Sequence, residues 1–154
     1  MAQPSARACG GCIACCFTHE VIEKRKPPQT ACQECTADGC RLYGIHPKSC
    51  RDFQCLWLMG YGADDDRPDK VGYVLSYSDD WQWGLILTAI EYRAGALAGP
   101  ERREIAYEHM KEWRKAYYFY IGGGWDDFTF GDDEPTHHAL PPPRPGRTRL
   151  SIDR

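Results

Sequence analysis

At 154 residues the chain is long enough for one domain, or for one compact domain with a small appendage. A formal net charge of -3 excludes a general nucleic-acid binder, which needs a basic face to release counterions from phosphates. Hydrophobic residues make up 42%, enough for a core, yet no run of about 18 apolar residues exists to span a membrane.

Residues 1 to 8 form a polar lead containing Gln3, Pro4, Ser5 and Arg7, without the apolar region of a secretory signal. The expectation is a cytoplasmic protein, where clustered cysteines bind metal or do redox chemistry more often than they pair. The stretch Cys9-Gly10-Gly11-Cys12-Ile13-Ala14-Cys15-Cys16 follows, its spacing suited to a loop around an ion that runs into a short helical piece. Residues 17–22 read as a brief strand. Lys24-Arg25-Lys26-Pro27-Pro28 reads as an exposed basic loop, because prolines remove donors and fix φ. A second thiol group, Cys32, Cys35, Cys40, Cys50 and Cys55, is punctuated by Gly39, Gly44 and Pro47. It has too few apolar residues for a core of its own, and metal coordination would supply the missing cohesion. Leu56-Trp57-Leu58-Met59 reads as the end of a short helix packing this lobe on the rest.

Asp64-Asp65-Asp66-Arg67-Pro68-Asp69 reads as a solvated boundary, since no Gly-centred loop of spaced ligands follows. Alternation predicts a strand over 71–77, and the apolar run 83–90 a second. Gly99-Pro100 opens a helix with Glu101 in its first turn. Its apolar face would gather Ile105, His109 and Trp113 beside Ala106, Met110 and Tyr117, with His109 a half-buried core residue rather than a ligand. Residues 117–121 read as a strand ending at Gly122-Gly123-Gly124, which lacks the setting of a phosphate loop. A last short strand is expected over 125–130. From Gly131 onward, Pro141-Pro142-Pro143-Arg144-Pro145 and few apolar residues predict a disordered or polyproline tail. His137-His138 is at most an adventitious metal-binding pair. The expected fold is α+β: a small Cys-rich metal-binding lobe of loops and short helices (1–60), then a short antiparallel sheet with one main helix (61–130), then the tail (131–154).

All nine cysteines lie within the first 55 residues, and an odd count leaves at least one unpaired in any all-disulfide scheme. Zinc sites draw C-x₂₋₄-C pairs into a tetrahedron, a pattern met by Cys9/Cys12 with Cys32/Cys35. Cys9, Cys12 and Cys15 match instead the close triplet used for a [4Fe–4S] cluster, without the proline of an ordinary ferredoxin. Nine thiols exceed the need of one site of either kind, so two sites or a polynuclear site would use them better. The vicinal Cys15 and Cys16 are expected to diverge into different roles. All of Cys9, Cys12, Cys15, Cys16, Cys32, Cys35, Cys40, Cys50 and Cys55 are candidate ligands, with His19 the candidate outside the thiols. Arg51 is expected to neutralise thiolate charge or pack on Tyr43. No catalytic constellation and no organic-cofactor motif stands out.

The order Cys9-x₂-Cys12-x₂-Cys15-Cys16, then Cys32, Cys35, Cys40, Tyr43, Pro47, Cys50-Arg51, Phe53 and Cys55 resembles the CxxCxxCC cysteine-cluster family of zinc- or iron-chelating proteins. The resemblance covers residues 9 to about 60, and Arg67-Pro68-Asp69-Lys70-Val71-Gly72 is similar to a subfamily with a β-rich extension. Two departures are His46-Pro47, where the family commonly has Arg-Pro, and Cys35, a thiol beyond the family's shared eight. The resemblance implies metal chelation. Triplet spacing and surplus thiols favour a Cys-ligated iron or iron–sulfur centre. The alternative is a zinc-stabilised interaction module whose aromatic C-terminal half binds a protein partner. A redox or metal-transfer enzyme using one exposed cysteine is the third reading.

Overall fold

The computed structural model describes residues 7–80, 82–110, 113–131 and 134–139. Regular elements in the cysteine-rich segment are short: α1 (Ala14–Thr18), a 3-10 turn at Ile22–Lys24, the hairpin of β1 (Cys35–Thr36) and β2 (Gly39–Cys40), and α2 (Lys48–Asp52). The strand expected over 17–22 does not form. Phe17 and Thr18 close α1 instead, and Val21 makes an isolated bridge to Lys26. The returning loop satisfies the end of α1: Thr30 N–H donates to the Phe17 carbonyl at 3.0 Å and Gln29 N–H to that of Thr18 at 3.3 Å.

After Cys55 the apolar run folds into turns rather than a helix end, with Met59 N–H on the Cys55 carbonyl at 3.1 Å. Leu56 N–H donates to the Leu75 carbonyl at 2.8 Å, which ties the run to the sheet. The acidic boundary carries a 3-10 turn (Asp64–Asp66) and α3 (Pro68–Val71), the latter opened by Pro68 in its first turn. Gly72 ends α3 at φ +88°, and a Cβ there would stand 2.9 Å from Ala96 and Arg93. The strand therefore begins at Tyr73 rather than Val71.

The main sheet contains β3 (Tyr73–Asp80), β4 (Gly84–Glu91), β5 (Lys115–Phe119), β6 (Trp125–Thr129) and β7 (Thr136–His138), in that order across the sheet. α4 (Glu101–Met110) lies between β4 and β5 in the chain. The fold is α+β, but the sheet is mixed rather than antiparallel. β4 and β5 run parallel, Thr88 opposite Tyr117, because a parallel neighbour needs a crossover and the α4 segment supplies it. The expected helical face is also shorter. α4 ends at Met110, and Tyr117 belongs to β5, where pairing with β4 overrides helical periodicity. The His109 side chain lies outside the described residues. β7 pairs with β6 inside the stretch expected as tail, while the polyproline run lies outside the described residues.

Alternate strand positions face two cores. On one face Leu87, Ala89, Ala116, Tyr118 and Phe128 pack with Leu56, Leu97, Ala106 and Trp113. On the other, Val74 packs with Ala14 and Cys55, and with the partly buried Cys12, Phe53 and Tyr92. The thiol segment is thus seated on the sheet through its own cysteines. At the strand ends Glu91, 2% exposed, accepts from Leu97 N–H at 3.0 Å and Ile121 N–H at 2.8 Å. Asp126, 3% exposed, accepts from the Tyr120 hydroxyl and His137 Nδ1, each at 2.7 Å, and pairs with Arg102 at 3.1 Å.

Candidate metal centre

Each cysteine is delivered by a tight local turn. Gly10 at φ +56° lets the chain fold back so that Cys12 N–H reaches the Cys9 carbonyl at 2.9 Å. α1 carries Cys15 and Cys16, the β1–β2 hairpin sets Cys35 opposite Cys40, and Pro47 opens the helix that carries Cys50. Cys55 is buried in the small core on the sheet.

All nine are free thiols. Cys9, Cys12, Cys15, Cys16, Cys32, Cys40, Cys50 and Cys55 line one cavity of about 480 Å³; Cys35 does not line it. Two neighbourhoods emerge. Cys9, Cys12 and Cys55 interact among themselves near Arg67 and Asp69. Cys16 is the hub of the other, interacting with Cys15, Cys32, Cys35 and Cys40, with Cys50 alongside. The vicinal Cys15 and Cys16 interact directly through their side chains. Among the described residues, however, no three or more His, Cys, Asp or Glu side chains form a group closed enough to hold a metal ion. The donors surround a common space without converging on one point.

Their protonation explains why an ion would matter. Burial pushes up the thiols of Cys9, Cys12, Cys35, Cys40 and Cys55, and that of Cys50 to about 11. Cys16 is raised first by its interaction with Cys15 and then by burial. Opposing these shifts, backbone N–H groups aim at sulfur: Ala14 and Asp69 at Cys12, Leu42 at Cys40, Leu58 and Trp57 at Cys55. Such donors favour thiolate over thiol. The donor set thus fits a thiophilic metal, which would displace the protons on binding.

Cations other than Arg51 also stand near the thiols. Arg51 lines the cavity but is exposed, and Tyr43 meets His46 edge-on at 5.2 Å. Lys26, expected in an exposed loop, is 7% exposed, and its Nζ donates to the carbonyls of Phe17 (3.3 Å), Pro27 (3.0 Å) and Thr30 (2.7 Å). Burial lowers its pKa, while Cys32, Cys16, Cys35 and Cys15 pull in the opposite direction. Arg67 holds Asp69 through two bonds of 2.6 and 2.7 Å, and Cys12 and Cys9 lie within reach of its charge. No local pattern marks Lys26. For Arg67 the signal was the adjacent Pro68-Asp69, where an arginine two residues before a carboxylate can form a fork.

His19 is 8% exposed, with Nδ1 2.6 Å from Thr18 Oγ1 and its ring 3.7 Å from that of Phe53. Burial, aided by Lys26, lowers its pKa to about 3, so the ring is neutral at pH 7. It lines the cavity, but packing against Phe53 accounts for its position as well as ligation would. His137 and His138 are engaged elsewhere, on Asp126 and on the Trp125 ring at 4.1 Å. No family model, no curated protein and no solved structure matches this chain.

Proposed function

We propose that the protein binds metal through the thiols of residues 9–55 and holds iron there, as a Cys-ligated or iron–sulfur centre. The carrying observation is that eight free thiols line one cavity while backbone N–H groups aim at three of their sulfurs. The triplet Cys9, Cys12 and Cys15 and the excess of thiols over one tetrahedral site support iron. The resemblance of the cysteine order to that of the CxxCxxCC family supports chelation. In this reading residues 1–60 form a metal lobe, and the β-rich part from residue 61 carries it. Among the described residues no helix is long and apolar enough to cross a membrane.

A zinc-stabilised interaction module is the second reading. It is favoured by the short elements of residues 14–52, a segment a structural ion would hold together. Anaerobic purification followed by metal analysis, acid-labile sulfide assay and an absorbance spectrum separates the two. Iron with sulfide and a broad visible band supports the first. Colourless protein with stoichiometric zinc supports the second. Metal-free protein that takes up neither ion under reducing conditions overturns both.

A further inference from the structure

We propose that the cleft bounded by α4, β3 and the turns after Cys55 binds an arginine-bearing peptide segment of a partner protein. This does not depend on what the thiols hold. The cleft has a volume of about 1100 Å³, just above the roughly 300–1,000 Å³ of small-molecule pockets, which leaves room for a peptide segment.

Its lining joins two chemistries. Tyr61, Tyr73 and Tyr107 supply aromatic surface over an apolar floor that includes Leu56 and Leu75, beside Trp57, whose ring Arg7 already covers. Asp66, Glu101, Glu104 and Glu108 supply carboxylates, and no lysine, arginine or histidine is among the described lining residues. Two of the carboxylates come from different elements, Asp66 from a 3-10 turn and Glu101 from α4. Burial first, and then the charges of Asp66 and Glu101, raise the pKa of the Tyr73 phenol in the same lining. Arg102 on the same helix is engaged with Asp126 at 3.1 Å, and among the described residues no ion pair offsets the three glutamates. Aromatic faces beside carboxylates that no described cation pairs attract cations, arginine above lysine.

The molecule itself contains an instance of this recognition. The Arg7 guanidinium lies 4.8 Å from the centre of the Trp57 ring. Its Nη1 donates to the carbonyls of Trp57 at 2.9 Å and Tyr61 at 3.0 Å, and Nη2 to that of Gly62 at 2.7 Å. The same turns that wall the cleft thus already hold one guanidinium by its planar fork. A compact ammonium lacks that geometry, which is why the occupant is assigned as arginine.

The test uses the full chain and a fluorescein-labelled synthetic peptide with three arginines spaced by glycines, read by anisotropy at low and high salt. Saturable, salt-sensitive binding is expected. It should weaken about tenfold or more in the combined Glu101→Gln, Glu104→Gln, Glu108→Gln variant, whose lost charges each count modestly. Circular dichroism checks that α4 survives, and Tyr107→Ala, at an exposed position, should weaken binding without touching charge. No binding, or equal binding by parent and both variants, overturns the proposal. So does spermine binding as tightly as the peptide, which would make the cleft a polyamine site. Binding that appears only when Arg144, Arg147 and Arg149 are changed to glutamate would assign the cleft to the chain's own segment, and would also overturn it.

Discussion

The Lys26 ammonium donates to the Phe17 carbonyl at 3.3 Å, anchoring the basic loop one residue from Cys16, the hub of the larger thiol group. Two further carbonyls, of Pro27 and Thr30, complete its shell. In Lys26→Met the carbonyls of Pro27 and Thr30 lose the ammonium, and that of Phe17 keeps only Thr30 N–H, while the buried stem stays filled. The expected loss is about 1–3 kcal/mol, since hydrogen bonds from a charged donor are among the stronger ones. A urea-denaturation midpoint equal to the parent's would show that the loop is held by other means. If thiolates form on metal binding, the variant should also release metal to a chelator faster, having lost the nearest buried cation.

Cys12→Ser and Cys50→Ser test the metal reading from its two neighbourhoods. Each should lower metal content and cost about 3 kcal/mol or more, some 6–12 °C of melting temperature in a chain of this size. Unchanged metal content and melting temperature in both variants would remove the basis for chelation.

His19 gives the protein an acid limit independent of metal. Its pKa falls from 6.5 to about 3 on folding, so the unfolded chain binds a proton that the folded chain refuses. The stability due to neutral His19 is complete above the unfolded value of 6.5 and is lost as pH falls towards about 3. Metal-free protein followed by thermal unfolding between neutral and acid pH should show this slope, and His19→Gln should flatten it. Equal slopes in the two proteins would assign the acid sensitivity to other groups.

Glu91 joins two chain segments through one buried carboxylate, accepting from Leu97 and Ile121. Glu91→Ala leaves both amides without that acceptor, at an expected cost of about 3 kcal/mol. Hydrogen exchange should rise first at Leu97 and Ile121. Exchange unchanged at both amides would mean that water replaces the carboxylate without cost.

Legibility followed how far each element depends on distant partners. β4 was readable because the apolar run 83–90 serves both sheet faces, and β6 because Trp125 to Thr129 alternates. The parallel pairing of β4 with β5 left no local trace, since it is decided by where the α4 crossover returns the chain. Phe17 to Ile22 misled for a related reason. Its apolar residues suit a strand, but Thr18 and Phe17 are claimed by the loop at Gln29 and Thr30. The thiols were legible as a group from spacing alone. Their division around Cys16 and around Cys55 was not, because it depends on α1 and on the seat provided by Val74.

That seat has a consequence for how the protein is made. Cys55 and Cys12 rest on Val74, a residue of a strand that follows every cysteine in the chain. Translation runs N-terminus first at about 5–20 residues per second, so all the thiols leave the ribosome before the surface that organises them. Until the β3–β4 hairpin forms, they are a reactive, unshielded string, open to oxidation and to whichever soft metal arrives first. If the thiols hold metal as proposed, filling is a race between hairpin closure and capture, and slowing synthesis across residues 56–91 should lower the yield of loaded protein.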